Sequence, residues 1–135
     1  MTYIYTVSDG WCYLSSILDL HSRKIIAWRL SRQMETRLVI ETLQDALSKR
    51  TVADGLIIHS DRGSQYTSKE YNDYLEHHSI RHSYSAKGCP YDNSCIESFH
   101  ATIKKECIYA ETNFGYKDFQ TCYDSIFKYI EGFYN

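Results

Sequence analysis

Leu56-Ile57-Ile58 is a continuous apolar run set between Gly55 and the polar stretch His59-Ser60-Asp61-Arg62-Gly63. It is too short for a helix, and a strand with no polar alternation is one that buries both of its faces. Such a strand belongs inside a parallel sheet, which needs covering elements above and below it. The run therefore predicts a layered α/β chain with this strand near its centre. It also raises a chemical question, because Asp61 sits where a buried strand meets a glycine turn instead of on a solvated surface.

The flanking patterns agree with layers. Thr2 to Val7 and Trp11 to Leu20 are rich in Tyr, Ile, Thr, Leu and Ser, and Asp9-Gly10 between them reads as a two-residue hairpin turn. With those two residues at the centre of the turn, Ile4 faces Ser15, Thr2 faces Ile17, and Asp19 faces the position just before Met1. After the polar turn His21-Ser22-Arg23-Lys24, Ile25 to Leu30 reads as a third strand of a meander. Val39, Leu43, Ala46 and Leu47 then recur with helical spacing between Glu35 and Arg50. Thr67-x-x-Glu70 has the form of a capping box and opens a second helix with Tyr71, Tyr74, Leu75 and His78 on one face. Ile80, His82 and Tyr84 alternate as a strand, and Ser85 to Asn93, which holds the only proline, is a loop. Ile96, Phe99, His100 and Ile103 mark a third helix, and Phe119, Tyr123, Ile126, Ile130 and Phe133 a final one.

At 135 residues, 43% apolar and 15% aromatic, the chain suits one domain spanning residues 1–135 with a true core. No apolar run is long enough for a membrane helix and the opening residues lack the order of a signal peptide, so the expected location is cytoplasmic. The five cysteines, Cys12, Cys89, Cys95, Cys107 and Cys122, form no C-x-x-C pair and read as free thiols. A formal net charge of -2 lacks the overall basic character of a nucleic-acid binder, so any such function rests on local charge. Lys104 and Lys105, with Lys87 upstream, form the one basic cluster of note, and taken alone a solvated helix face is the better explanation of them.

Each acidic candidate also has a plain structural explanation. Asp61 can accept backbone N–H bonds in a turn where Gly63 permits positive φ, and Glu97 completes a capping box with Ser94. Taken with their surroundings they say more. "HSDRGSQYTS" and "YDNSCIESF", together with "GWCYLSSILDLHSRKIIAWRLS", "HHSIRHSYSAKGCPYDNSCIESFHATIKKE" and "YIEGFYN", resemble successive blocks of the catalytic core of DDE insertion-sequence transposases, the bacterial group similar to retroviral integrases. The element order resembles a ribonuclease H-like fold, with a mixed five-stranded sheet of a three-strand antiparallel meander plus two further strands, flanked by helices.

The resemblance implies three carboxylates holding two Mg²⁺ ions, with Mn²⁺ as a substitute, against a DNA phosphate. Asp61 matches the family's second acid and Glu97 its third. It also implies phosphate contacts by Lys104, which follows Glu97 by two helical turns, with Lys105 and Lys87 as weaker candidates. Partners are then the transposon ends and target DNA, with assembly as a homo-oligomer, in a bacterial cytoplasm next to the nucleoid. Gln65, Tyr66, Asp92 and Asn93 belong to the matching motifs and read equally well as turn and cap residues. The family's first acid normally stands directly before the "TYI" of the first strand, one residue outside Met1. Strand transfer by this chain is therefore expected to be very weak, and a catalytically inactive remnant that folds, dimerises or weakly holds DNA is the alternative. Asp19, across from the absent position, is a structural residue or a partial substitute metal ligand. Two further readings are a zinc module built on His77, His78, His82, Cys89 and Cys95, whose spacing follows no paired zinc pattern, and a nuclease acting on RNA–DNA hybrids.

Overall fold

The computed structural model describes residues 1–50, 55–84, 101–103 and 115–135. Strand β1 (Thr2–Thr6) buries Thr2, Ile4 and Thr6 and turns Tyr3 and Tyr5 outward, the period of a strand with one face on a core. It pairs antiparallel with β2 (Gly10–Leu18), which pairs antiparallel with β3 (Ile25–Ser31) through a bulge at Ile17 and Leu18.

The first hairpin differs from the expected register by three residues. Thr2 pairs with Leu14 and Thr6 with Gly10, so the loop is Val7-Ser8-Asp9. Gly10 supplies positive φ (73°), but as the residue following a three-residue loop and not as the second centre of a two-residue one. The Thr6 hydroxyl selects this geometry: it donates to the Gly10 carbonyl at 2.8 Å and accepts the Asp9 N–H at 3.2 Å. Asp9 is then released to accept the Phe119 N–H at 2.8 Å. Asp19 consequently does not oppose the position before Met1; it lies in the turn beyond the end of β2.

Helix α1 (Thr36–Lys49) crosses one face of the meander with Leu38, Val39, Ile40, Leu43 and Ala46 buried. Strand β4 (Ile57–Ser60) leads into the single-turn helix α2 (Ser64–Thr67) and then α3 (Lys69–His77). The α3 cap is Ser68, whose hydroxyl accepts the Tyr71 N–H, one residue later than the expected Thr67 cap. Thr67 instead bonds back to the carbonyls of Gly63 and Ser64. Strand β5 (Arg81–Tyr84) pairs parallel with β4.

Helix α4 (Phe119–Tyr129), capped by Asp118, continues as a π-helical turn over Ile130–Tyr134. Its buried stripe is Cys122, Ile126, Tyr129 and Ile130, whereas Tyr123 is 37% exposed and stacks beside Trp28 of β3. The Phe133 side chain lies outside the described residues.

Two apolar clusters cover opposite faces of the meander. Ile4, Cys12, Leu14, Ile25 and Leu30 pack with Ile103, Tyr116, Ile126 and Ile130. On the other face, Ile17 joins Val39, Ile40 and Leu43 of α1, Tyr71 and Leu75 of α3, and Ile80. Arg29 projects to that second side, pairing with Asp45 at 2.6 Å and Glu41 at 2.8 Å on α1. Cys12 and Cys122 are buried and in no disulfide, as the cysteine count implies, and burial raises the Cys12 thiol.

The α/β layering thus matches the expectation, but its single five-stranded sheet is not seen: the described strands form a three-stranded antiparallel sheet and a two-stranded parallel one. Near its C-terminal end the outer edge of β1 is occupied by residues 115–117. Tyr116 N–H donates to the Tyr5 carbonyl at 3.2 Å, and the N–H groups of Val7 and Ser8 donate to Tyr116 and Lys117. Strand β4 is parallel but is not buried on both faces, since Ile57 is 56% exposed and its one ladder partner among the described residues is β5.

Candidate active site

The C-terminal end of β4 delivers Asp61 to an exposed turn. Its Oδ1 accepts the Gly63 N–H at 2.8 Å, an Asx-turn that orients the carboxylate. Gly63 has φ -58° and ψ 148°, so the positive φ that glycine permits is not used here. Space is what demands the glycine: a β-carbon there would stand 3.0 Å from Asp61 Oδ1 and 3.3 Å from Gln65 Oε1. The Gly63 carbonyl then accepts the N–H groups of Tyr66 and Thr67, closing α2 directly behind the carboxylate.

Beneath this turn lies a polar network. The Ser60 hydroxyl bonds both the Asp61 carbonyl at 2.9 Å and His82 Nε2 at 2.7 Å. His82 Nδ1 reaches Asn72 Oδ1 at 2.7 Å, and Asn72 Nδ2 donates to the carbonyls of Tyr66 and Ser68, each at 2.9 Å. The Tyr84 hydroxyl also donates to the Tyr66 carbonyl at 2.9 Å. Burial, with a smaller contribution from His59, holds the His82 imidazole below its ordinary value. Tyr66 packs against the buried cluster that holds Val39, Leu43 and Leu75, meets the Tyr71 ring edge-on at 5.5 Å, and is hydrogen-bonded by Ser15. Burial and then the nearby Asp61 charge push its phenol up to about 12, so it stays protonated at physiological pH. The Arg62 guanidinium lies 5.3 Å over the Tyr84 ring.

Asp19 is a turn-capping residue by geometry. Its oxygens accept the His21 N–H at 2.9 Å, the Ser22 hydroxyl at 3.1 Å and Arg50 at 3.4 Å. The His21 N–H bond is the main cause that holds its carboxyl below the usual range. Glu97, Lys87, Lys104 and Lys105 lie outside the described residues, as do Asp92, Asn93, His100, Cys89, Cys95 and Cys107. Among the described residues no three His, Cys, Asp or Glu side chains gather as a metal site. His82 of the zinc reading has both ring nitrogens in hydrogen bonds.

Sequence reasoning placed Asp61 at its strand end but missed Ser60, Asn72 and His82 as its supports. The alternation of His82 with Ile80 and Tyr84 marked only a strand, and nothing local distinguished Asn72 from any polar helix residue.

A carboxylate lifted by a parallel strand beside an antiparallel meander, with helices on both faces, is the plan of an integrase catalytic core. Residues 1–90 match the family model described as an integrase core domain, and residues 78–131 match a second model of the same description. The chain belongs to the integrase core domain family. Over all 135 residues it is 43% identical to the Transposase InsF for insertion sequence IS3A of Escherichia coli (strain K12). The same identity holds to the transposase for insertion sequence element IS904 of Lactococcus lactis subsp. lactis (strain IL1403). The chain spans 46% and 52% of the lengths of these two relatives.

Solved structures share the fold at low identity. The simian T-cell lymphotropic virus intasome, in complex with PP2A regulatory subunit B56 gamma, superposes with a TM-score of 0.74 over 94% of this chain and 45% of that one, at 16% identity. The HTLV-2 integrase catalytic core domain, in complex with magnesium and in a trimeric form, gives 0.61 over 77% of this chain and 62% of that one, at 19% identity. Among the described residues no helix is long and apolar enough to cross a membrane.

Proposed function

We propose that this chain is the catalytic core of a DNA transposase, carrying out divalent-metal-dependent cleavage and joining of DNA strands during transposition. One observation carries the reading: in a member of the integrase core family, Asp61 stands at the C-terminal end of a parallel strand with Oδ1 held by the Gly63 N–H. Among the described residues its Oδ2 accepts no hydrogen bond. An exposed, oriented carboxylate oxygen is a ligand suited to Mg²⁺ or Mn²⁺, which prefer hard oxygen donors. Two such ions, when bound, stabilise the attacking and leaving oxygens of an in-line displacement at phosphorus.

Within this reading Asp61 and Glu97 are the ligands this chain supplies. Lys104 neutralises the phosphate beside the scissile bond, and Lys105 and Lys87 hold the flanking backbone. Asp19 is assigned to its turn, because three donors already occupy its oxygens. The DNA partners are transposon ends and target, and the joining of paired ends requires more than one copy of the chain.

Mn²⁺ titration followed by electron paramagnetic resonance tests the assignment. Asp61→Asn and Glu97→Gln are each expected to weaken binding at least about tenfold, while Asp19→Asn leaves it at the parent value. Any strand nicking by the parent in Mn²⁺ disappears with Asp61→Asn. Equal Mn²⁺ affinity in the parent, Asp61→Asn and Glu97→Gln proteins overturns the reading.

A further inference from the structure

The loop that carries Asp61 is pinned at both ends by the same two side chains. At its start, Ser60 is bonded to His82 Nε2; at its finish, the Tyr66 carbonyl is bonded by Asn72 Nδ2. His82 and Asn72 come from β5 and α3 and are joined to each other at 2.7 Å.

Proton counting fixes the direction of the bond between Asn72 and His82. The two shortest bonds of the Asn72 amide nitrogen, each 2.9 Å, go to the backbone carbonyls of Tyr66 and Ser68, with the Tyr84 hydroxyl farther off at 3.1 Å. Asn72 Oδ1 is therefore the atom turned to His82, and it can only accept. His82 Nδ1 must carry the ring proton, which leaves Nε2 of the neutral ring as an acceptor for the Ser60 hydroxyl. The single proton of that hydroxyl is divided between Nε2 and the Asp61 carbonyl at 2.9 Å in a three-centre bond, so the orientation of the 61 peptide is tied to the imidazole. The Tyr84 hydroxyl provides a second hold on the Tyr66 carbonyl.

We propose that Asn72 and His82 are positioning residues that clamp residues 60 to 66 and thereby set the direction in which the Asp61 carboxylate is presented. Its importance for metal binding rests on the reading of Asp61 as a ligand; its effect on the loop does not. Outer groups that orient ligands act on metal affinity while touching neither metal nor substrate. A role confined to folding predicts instead that stability changes and the geometry at Asp61 stays the same.

The full chain without metal gives the first measurement, by nuclear magnetic resonance of the His82 ring nitrogens, the Gly63 amide and the Asp61 carboxyl carbon. The parent is expected in the Nδ1–H tautomer. His82→Phe keeps the ring volume without its nitrogens, and Ser60→Ala cuts the same link from the other side should the first variant fold poorly. Each is expected to shift the Gly63 amide and the Asp61 carboxyl resonance in a protein that still unfolds cooperatively. Each is also expected to weaken Mn²⁺ binding about tenfold, and the double variant to be no worse than either alone. His82→Gln, whose side-chain oxygen can accept the Ser60 hydroxyl, recovers part of the loss.

Parent resonances at Gly63 and Asp61 in folded Ser60→Ala and His82→Phe proteins overturn the clamp. If Asp61→Asn weakens Mn²⁺ binding and these variants do not, the clamp's metal role fails while Asp61 stands. Should Asp61→Asn leave Mn²⁺ binding unchanged, it is the ligand reading that fails, and the resonances alone decide the clamp.

Discussion

At Gly63 the backbone angles suit any L-residue, so a substitution there brings no strain of its own. What an added β-carbon meets is the Asp61 carboxylate oxygen at 3.0 Å. The yielding group is the end of a side chain, and rotating it away breaks the 2.8 Å bond from the Gly63 N–H. Gly63→Ala is therefore expected to change stability by less than about 1 kcal/mol in thermal unfolding while weakening Mn²⁺ binding about tenfold. Unchanged Mn²⁺ affinity in that variant would show that the carboxylate direction is immaterial. Gly115 is glycine for a different reason: φ is +96° and a β-carbon would lie 2.8 Å from the Tyr5 carbonyl oxygen, where the neighbour is backbone. One glycine protects a side chain's orientation and the other a strand edge, a distinction that neither "DRGSQY" nor "NFGYK" carries in its letters.

Helix α3 and strand β5 meet through Asn72 and His82, and that contact makes the pair sensitive to pH. Burial holds the folded His82 imidazole below its ordinary value of 6.5, so the unfolded chain takes up this proton at a higher pH than the folded chain does. Its contribution to stability is complete above about pH 6.5 and is lost as the pH falls through the window beneath it. The Tm of the parent should drop between about pH 7 and pH 5 and that of His82→Gln should drop less; parallel curves would assign the effect to other groups. The elements themselves were largely legible, because α1, the meander and the β4–β5 pair follow hydrophobic periods that local sequence sets. The first hairpin register was not, since a glycine with positive φ serves a two-residue turn and a bulge after a three-residue loop equally, and the Thr6 hydroxyl decides between them. Nor does an apolar run state what covers it, which is why Ile57 reads as buried yet is exposed. The α3 cap moved one residue for a comparable reason: Thr67 spends its hydroxyl on α2, leaving Ser68 for the cap. The Asn72–His82 contact joins residues of two elements and leaves no periodic trace in either.

Across the whole molecule, charge limits how DNA can be held. Lysines and arginines number 15 against 17 acids, and five of the twelve described ones sit in ion pairs. Arg29 is paired with Asp45 and Glu41, Arg37 with Glu41, Arg50 with Asp19, Arg32 with Asp9 and Lys69 with Asp73. Pulling such a cation onto a phosphate means giving up its carboxylate partner, which then faces the DNA as an unpaired negative charge. In the proposed reading of the chain as a DNA-binding core, the counterion release comes from the local set Lys87, Lys104 and Lys105. Three phosphate contacts correspond to a slope of about -2.7 in log affinity against log salt, and so to a loss of about 40-fold between about 50 and about 200 mM. Fluorescence anisotropy of a short labelled duplex across that range should give this shallow slope, and Lys104→Ala should reduce its magnitude by about one. A slope of about -6 or steeper would mean that a broad basic footprint, drawn from lysines and arginines beyond this set, engages the DNA, and a slope unaffected by Lys104→Ala would remove that lysine from the phosphate-binding set.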